Sequence, residues 1–394
     1  MLAQIAAGED QFREFKRAID NPESIAGELV AFANTDGGRL FLGVDDDGAI
    51  VGLPDPAQTL QTLTNICRDR CRPPVIPGFE QVALSGQTII VLSVEPALNR
   101  QKPYSTPGGR FFLRVGADKK DATGRELIRI AQSAGELHYD ESPVRGADLS
   151  ALSEQAFGDY YERQFGLPLA DGLKQSGLSL TSLLTNMRLM EELEGAPTLT
   201  VAGVLMFGES PQRFLPHSRL SAVAFSGQDE DSAILDRLEL TGRLPQIIDA
   251  VRVFLKRNVR VAAQELGFER RDFPQYDLTA LGEAIVNAIV HRDYSLSGSQ
   301  IRVFVFADRI EVRSPGRLPN SVTLDNIRLG VHAERNRRLA TLLTHLGYMS
   351  AIGTGVPRLI LRLSRQLSNR EPEYALVGEE LRLTIWGAKL PPHS

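Results

Sequence analysis

The sequence predicts a multidomain α+β protein, on three observations. The chain has 394 residues, enough for two or three domains with real cores. Helical spacing of apolar residues and period-two alternation both recur along it, separated by Gly, Pro, Asn and Asp turns. Composition is that of an ordinary globular protein, 42% hydrophobic and 24% charged, which argues against disorder and against a coiled coil. The expected divisions are residues 1–136, a coupling module at 137–258, and a last domain at 259–394.

Residues 11–17, QFREFKR, read as a strand with Glu14 and Lys16 on one face. Asn21 and Pro22 start a helix whose apolar stripe is Ile25, Leu29 and Phe32, and NTDGG at 34–38 ends it. A strand is expected at 40–44, a turn at DDDG (45–48), and a returning strand at 49–53. Glu9 thus precedes a strand, Glu14 lies within it, and Asp46 sits at a hairpin tip. Gathered together, the three carboxylates would hold a divalent metal and activate water on a phosphodiester. A plainer role stands beside each: a turn for Asp46, a solvated terminus for Glu9, an ion pair with Lys16 for Glu14.

Cys67 and Cys71 share a helix face, but no second Cys/His pair stands at ligand spacing, so two reduced thiols are expected rather than zinc. Arg68, Arg70 and Arg72 form a basic cluster beside Pro73 and Pro74. After a core strand at 88–94, Arg114, Lys119 and Lys120 add positive charge around 110–120. Phosphate neutralisation would cluster Lys and Arg in this way, and a solvated loop rim accounts for them as well. Residues 126–134 read as a helix and 137–146 as a linker. Helices follow at 149–165 and 179–193, a buried strand at 199–207, strands at 219–225 and 237–242, and a helix at 244–258. This middle part carries no catalytic constellation.

Residues 278–294, LTALGEAIVNAIVHRDY, form a helix apolar nearly all round, which belongs in a core. Glu283, Asn287 and His291 interrupt it at i, i+4 and i+8, along one line. Something must meet a carboxylate there, either a magnesium–phosphate group or an arginine from a neighbouring segment. A hairpin at 300–306 and 310–313 exits through SPGRLP (314–319). Arg335 and Asn336 precede an amphipathic run at 339–346. Gly353, Thr354 and Gly355 then open another helix, where free backbone N–H groups suit phosphate oxygens or simply a turn.

Two resemblances follow. Gly8, Glu9, Glu14, Phe15 and Lys16, then AFAN at 31–34 with Gly37 and Gly38, then GVDD at 43–46 with Gly48, resemble the Schlafen AlbA-type nucleic-acid-binding domain. In vertebrate Schlafen proteins this domain is a metal-dependent endoribonuclease acting chiefly on tRNA, while prokaryotic members with the same signatures are considered to bind DNA only. The resemblance implies Glu9, Glu14 and Asp46 as catalytic and metal-binding residues for Mg²⁺ or Mn²⁺, with Lys16 as a phosphate contact. Arg68, Arg70, Arg114, Lys119 and Lys120 complete the expected nucleic-acid contacts. The Glu283-x-x-x-Asn287 helix, the hairpin exit and the glycine-rich helix start are similar to a GHKL-type ATP-binding α/β sandwich, in the divergent branch found in RecG-related regulators. That implies Glu283 as the water-activating base and Asn287 as a magnesium ligand. His291, Gly316, Gly353, Thr354 and Gly355 are then nucleotide contacts. The Asp-x-Gly-x-Gly box that reads adenine in that fold is replaced here by SPGRLP.

The net charge of −5 excludes a global positive field, so nucleic acid must meet a local patch. No apolar run reaches about 18 residues, and the N-terminus has neither basic region nor apolar signal core, so a cytoplasmic protein without a membrane span is expected. Homo-oligomers are expected because GHKL-type modules often pair. Many relatives end in a winged helix, whereas here a closing strand at 381–386 leaves only 387–394. Three functions are consistent: a metal-dependent nuclease on RNA, or less favourably DNA, under ATP control; a non-catalytic DNA-binding regulator; and an ATP-dependent interaction protein. The first is preferred, and antiphage defence and transcriptional control both fit.

Overall fold

The computed structural model describes residues 1–95, 102–134, 137–266, 269–318, 322–330, 333–349 and 355–391, which form two compact units, Met1–Leu137 and His138–Ser394. The described residues are α+β throughout, and no helix among them is long and apolar enough to cross a membrane.

In the first unit, α1 (Leu2–Ala6) leads to β1 (Arg13–Lys16), α2 (Pro22–Asn34) and β2 (Gly38–Leu42). There follow α3 (Pro56–Asp69), β3 (Gly78–Leu84), β4 (Gln87–Val94), the ribbon β5 (Phe112–Val115) and β6 (Asp118–Asp121), and α4 (Gly124–Ala134). The sheet order is β1-β2-β4-β3, with β1 parallel to β2 and the other pairs antiparallel. Asn21 caps α2 as its side chain accepts from Glu23 N at 2.9 Å. Alternation along β1 drives Phe15 into a small core with Ile5, Phe41 and Val91. It turns Glu14 and Lys16 to the opposite face. The expected strand at 49–53 is reduced to one bridge, Val44 with Ile50, beyond the turn that carries Asp46.

The second unit carries α5 (Glu154–Phe165), α6 (Leu169–Ser176), α7 (Leu180–Asn186), the hairpin β7 (Met190–Leu193) and β8 (Ala196–Leu199), α8 (Val201–Phe207) and α9 (Pro211–Phe214). Next come β9 (Leu220–Phe225), β10 (Ile234–Leu240), α10 (Leu244–Asn258), the hairpin β11 (Val261–Leu266) and β12 (Glu269–Pro274), and α11 (Leu278–His291). Then β13 (Ile301–Val305), β14 (Arg309–Pro315), α12 (Arg337–His345), a π-helical stretch Gly355–Arg362, α13 (Leu363–Ser368), β15 (Glu373–Val377) and β16 (Glu380–Trp386) complete it. The main sheet runs β10-β9-β13-β14-β16-β15, with β13 parallel to β9. Because β9 and β10 hydrogen-bond into the same sheet as β13–β16, it bridges the division expected at 258/259. One hydrophobic core, including Phe207, Ile248, Ile285, Val303 and Leu343, spans both sides.

Three elements in the middle differ from expectation, the first being the helix expected over 149–165, which starts only at Glu154 after a 3-10 turn at Leu149–Ala151. Residues 201–207 are a helix, capped by Thr200 Oγ1, which accepts from Gly203 N at 3.2 Å. All seven are buried, and a short run apolar on every side carries no periodicity to separate strand from helix. The helix expected over 179–193 stops at Asn186, and Met190–Leu193 pair with Ala196–Leu199 across a turn with Glu194 at φ 54° and Gly195 at φ 82°.

Candidate nucleotide and nucleic-acid sites

The line drawn by Glu283, Asn287 and His291 faces a cavity of about 350 Å³ in the second unit, also lined by Ser314, Gly316 and Gly355. That volume lies in the range of small-ligand sites. Asp277 starts the helix by accepting from Thr279 N and Ala280 N at 2.8 and 3.0 Å. Asn287 Nδ2 donates to Glu283 Oε1 at 2.8 Å and to Glu283 O at 2.9 Å, fixing the carboxylate rotamer. Glu283 has no ion pair among the described residues, so the arginine expected as its alternative partner is not bound to it. Burial raises its carboxyl above the ordinary range, opposed by the Asn287 hydrogen bond and the Arg252 charge. Gly355 approaches so closely that a Cβ there would lie 1.9 Å from Glu283 Oε1. Gly316, at φ 116°, has no room for a side chain between Asp293 and Arg335. Gly353 and Thr354 lie outside the described residues, as does Pro319 of the hairpin exit.

Several groups that shape this wall escape sequence reasoning. Arg335 Nη1 donates to His291 O at 3.0 Å, and Asn336 Nδ2 donates to Val290 O and Arg292 O at 2.7 and 2.8 Å. These side chains satisfy the end of α11, where helix carbonyls lack partners. Ser314 Oγ donates to Ala288 O at 2.8 Å. Asp140, from the segment read as a linker, is fully buried and accepts from Leu339 N at 2.9 Å, capping α12 on the cavity wall. The one available signal was an Arg-Asn pair just before an amphipathic run.

In the first unit β1 brings Glu14 against α2 and the β5–β6 ribbon. Glu14 Oε1 accepts from Lys16 Nζ at 2.6 Å, and Oε2 from Arg114 Nη1 at 2.7 Å. The same Arg114 nitrogen reaches Glu28 Oε2 at 2.9 Å, and Lys119 Nζ lies 2.9 Å from Glu28 Oε1. Glu9 Oε1 accepts from Phe15 N at 2.8 Å. Burial raises the Glu9 carboxyl; the Phe15 N–H lowers it, while the charges of Glu14 and Asp46 raise it further, so Glu9 is within electrostatic reach of both other acids. For Lys16, burial alone would lower its proton affinity, but the Glu14 hydrogen bond and the charges of Glu14, Glu9 and Glu28 outweigh it and raise it.

Two expected nucleic-acid contacts are corrected here. The Arg114 side chain is 0% exposed and its Nη2 donates to Asp10 O, so it ties β1 to α2 rather than facing a phosphate. Lys119 leans over Phe112 and donates to Ser24 O at 3.1 Å, in space left by Gly27. Arg68 and Arg70 are exposed and paired with Asp69 and Glu23, and Lys120 is exposed with Glu126 at 3.5 Å. Such surface pairs are worth at most about 1 kcal/mol and yield to phosphate.

A divalent ion does not fit the acidic group as its side chains stand. No three His, Cys, Asp or Glu side chains among the described residues assemble for a metal. Both Glu14 oxygens already accept from cationic donors, so an ion would have to displace the Lys16 ammonium from Oε1 or the Arg114 guanidinium from Oε2. The cavity differs. With Nδ2 committed to Glu283, Asn287 keeps Oδ1 for a magnesium ion, which takes few protein ligands beside phosphate oxygens.

Residues 9–123 match the family described as Schlafen, AlbA_2, and residues 298–385 match the family described as "Putative ATP-dependent DNA helicase recG C-terminal". The second span includes Gly316 and Gly355 but begins after Glu283, Asn287 and His291. The chain is similar to the crystal structure of the DIP2311 protein from Corynebacterium diphtheriae, 23% identical with a TM-score of 0.49, over 96% of this chain and 76% of that one. It is also similar to the N-terminal domain of a RecG-related protein from Nitrosomonas europaea, 31% identical with a TM-score of 0.25, over 31% of this chain and 90% of that one. No curated protein matches.

Proposed function

In a chain that joins a Schlafen AlbA_2 domain to a RecG-related HATPase-type domain, we propose a nucleic-acid-binding protein governed by ATP in the cavity beside Glu283. The observation that carries this reading is the alignment of Glu283, Asn287 and His291 on one helix face into a cavity that Gly355, packed against Glu283, also lines. Magnesium–ATP would supply the phosphoryl group and its charge-neutralising ion. Asn287 Oδ1 would hold the ion, and Glu283, kept in place by Asn287 Nδ2, would orient an attacking water and draw its proton. Burial makes Glu283 a stronger base than an exposed carboxylate. Apolar residues, Val312 and Leu383 among them, line the same cavity.

The first unit is taken as the nucleic-acid contact, with Arg68, Arg70 and Lys120 exchanging surface carboxylates for phosphates. The electrostatic reach of Glu9 to both Glu14 and Asp46 favours a second reading, metal-dependent cleavage. Since a metal does not fit the group with Lys16 in place, no cleavage step is assigned. The test measures binding of labelled RNA and DNA with and without magnesium–ATP, in the native chain and in Glu283→Gln. The proposed function predicts salt-sensitive binding whose affinity changes with nucleotide, and phosphate release lost in Glu283→Gln. Affinity indifferent to nucleotide, or backbone cleavage abolished by Glu14→Gln, would contradict it.

A further inference from the structure

The acidic group of the first unit has no evident use in a protein that binds nucleic acid without cutting it, yet its charges are arranged in detail. Five side chains alternate in sign: Lys16, Glu14, Arg114, Glu28 and Lys119. Arg114 is fully enclosed at the centre of this row. Lys16 is at its open end, with a side chain 30% exposed. Its ammonium donates to Glu14 Oε1 at 2.6 Å and to Phe15 O at 2.9 Å, and it feels the charges of Glu9 and Glu28. A carboxylate oxygen and a backbone carbonyl oxygen are the ligands a hard divalent cation would select. Here they converge on a nitrogen.

We propose that Lys16 is the resident cation of the Glu9–Glu14 pair: its ammonium occupies the Glu14 oxygen that a divalent metal would have to take, so the pair is neutralised without metal, and a metal enters only when the lysine is removed. The geometry has a simple origin. In β1, alternation puts residues 14 and 16 on the same face, so any lysine two positions after that glutamate can fold back onto it. The parallel partner β2 fixes the strand, with Glu14 opposite Leu40 and Lys16 opposite Leu42. Arg114 anchors the second Glu14 oxygen from the opposite side, leaving Oε1 for the lysine. Lys16 therefore neutralises the site from within, and a phosphate drawn to Lys16 competes with Glu14 for the same ammonium.

This assignment rests on the non-cleaving reading of the first unit and is independent of the nucleotide cavity. Its test is Mn²⁺ binding to the full chain without nucleotide, by calorimetry and by the Mn²⁺ paramagnetic resonance signal, with melting temperature as a second readout. The native chain and Glu9→Gln are expected to bind Mn²⁺ identically, with no Mn²⁺-dependent rise in melting temperature. Lys16→Met is expected to gain one site at least tenfold tighter than any in the native chain and a melting temperature that Mn²⁺ raises. Lys16→Met/Glu9→Gln is expected to lose both. Lys16→Gln takes the place of Lys16→Met should the latter not fold. A native Mn²⁺ site abolished by Glu9→Gln or Glu14→Gln would overturn the proposal, as would a folded lysine variant that gains no site. Failure of the function proposed above would show instead as nucleotide-independent nucleic-acid binding, which these titrations do not read.

Discussion

The backbone of Gly355 lies against the carboxylate of Glu283, leaving no space for even a methyl group between them. The residue that opens the π-helical stretch, far along the chain, thereby fixes how far a helix carboxylate projects into the cavity.

Gly355→Ala is expected to push Glu283 out of its hydrogen bond with Asn287 or to displace the start of the π-helical stretch. Overpacking of this kind costs about 1–3 kcal/mol. A lower urea midpoint together with loss of nucleotide-dependent behaviour is the expected result. A variant with native stability and native response would mean that the contact does not constrain the site.

Removing Arg114 leaves Glu14 and Glu28 facing each other without their shared cation. Breaking a buried ion pair on one side costs roughly 3–5 kcal/mol. Arg114→Met should therefore unfold the first unit at much lower urea, and adding Glu28→Gln should recover part of the loss. Weakened nucleic-acid binding with unchanged stability would instead make Arg114 a phosphate contact.

Asp140 gives a pH signature. Burial lifts its carboxyl to about 6, against the Leu339 N–H that lowers it. The folded state thus binds a proton that the unfolded chain, with an ordinary carboxyl near 3.8, has released. The associated stability is fully present below about pH 4 and is lost as pH rises through about 6, up to roughly 3 kcal/mol. Asp140→Asn does not titrate, so its stability relative to the native chain should climb between pH 4 and 7 in denaturant melts. A flat difference across that range would contradict the assignment.

Cys67 and Cys71 are buried thiols pushed up to about 12, chiefly by burial. Neither should react with a thiol reagent at pH 8 in the native chain, and both should react after denaturation. Rapid native labelling would show that α3 opens.

Much of this architecture was legible because periodicity and capping residues point the same way. The α11 pattern isolates Glu283, Asn287 and His291 on a single line, and the cavity lies along it. Asn21-Pro22 marks the start of α2, and alternation in QFREFKR puts Glu14 beside Lys16. What escaped depends on contacts distant in sequence. Arg114 is 100 residues from Glu14, and nothing local separates an arginine that will be enclosed from one on a basic rim. Asp140 sits in a Pro/Gly-bounded stretch that reads as linker, and only the start of α12 gives it a partner. The sheet that joins β9 and β10 to β13–β16 is likewise invisible to a reading of composition shifts.

The most direct measurement is calorimetric titration of magnesium–ATP into the native chain and into Asn287→Ala. The account predicts one ATP per chain, magnesium-dependent in the native protein and at least tenfold weaker in the variant. Equal affinity in the two proteins, or no binding to the native chain, would contradict it.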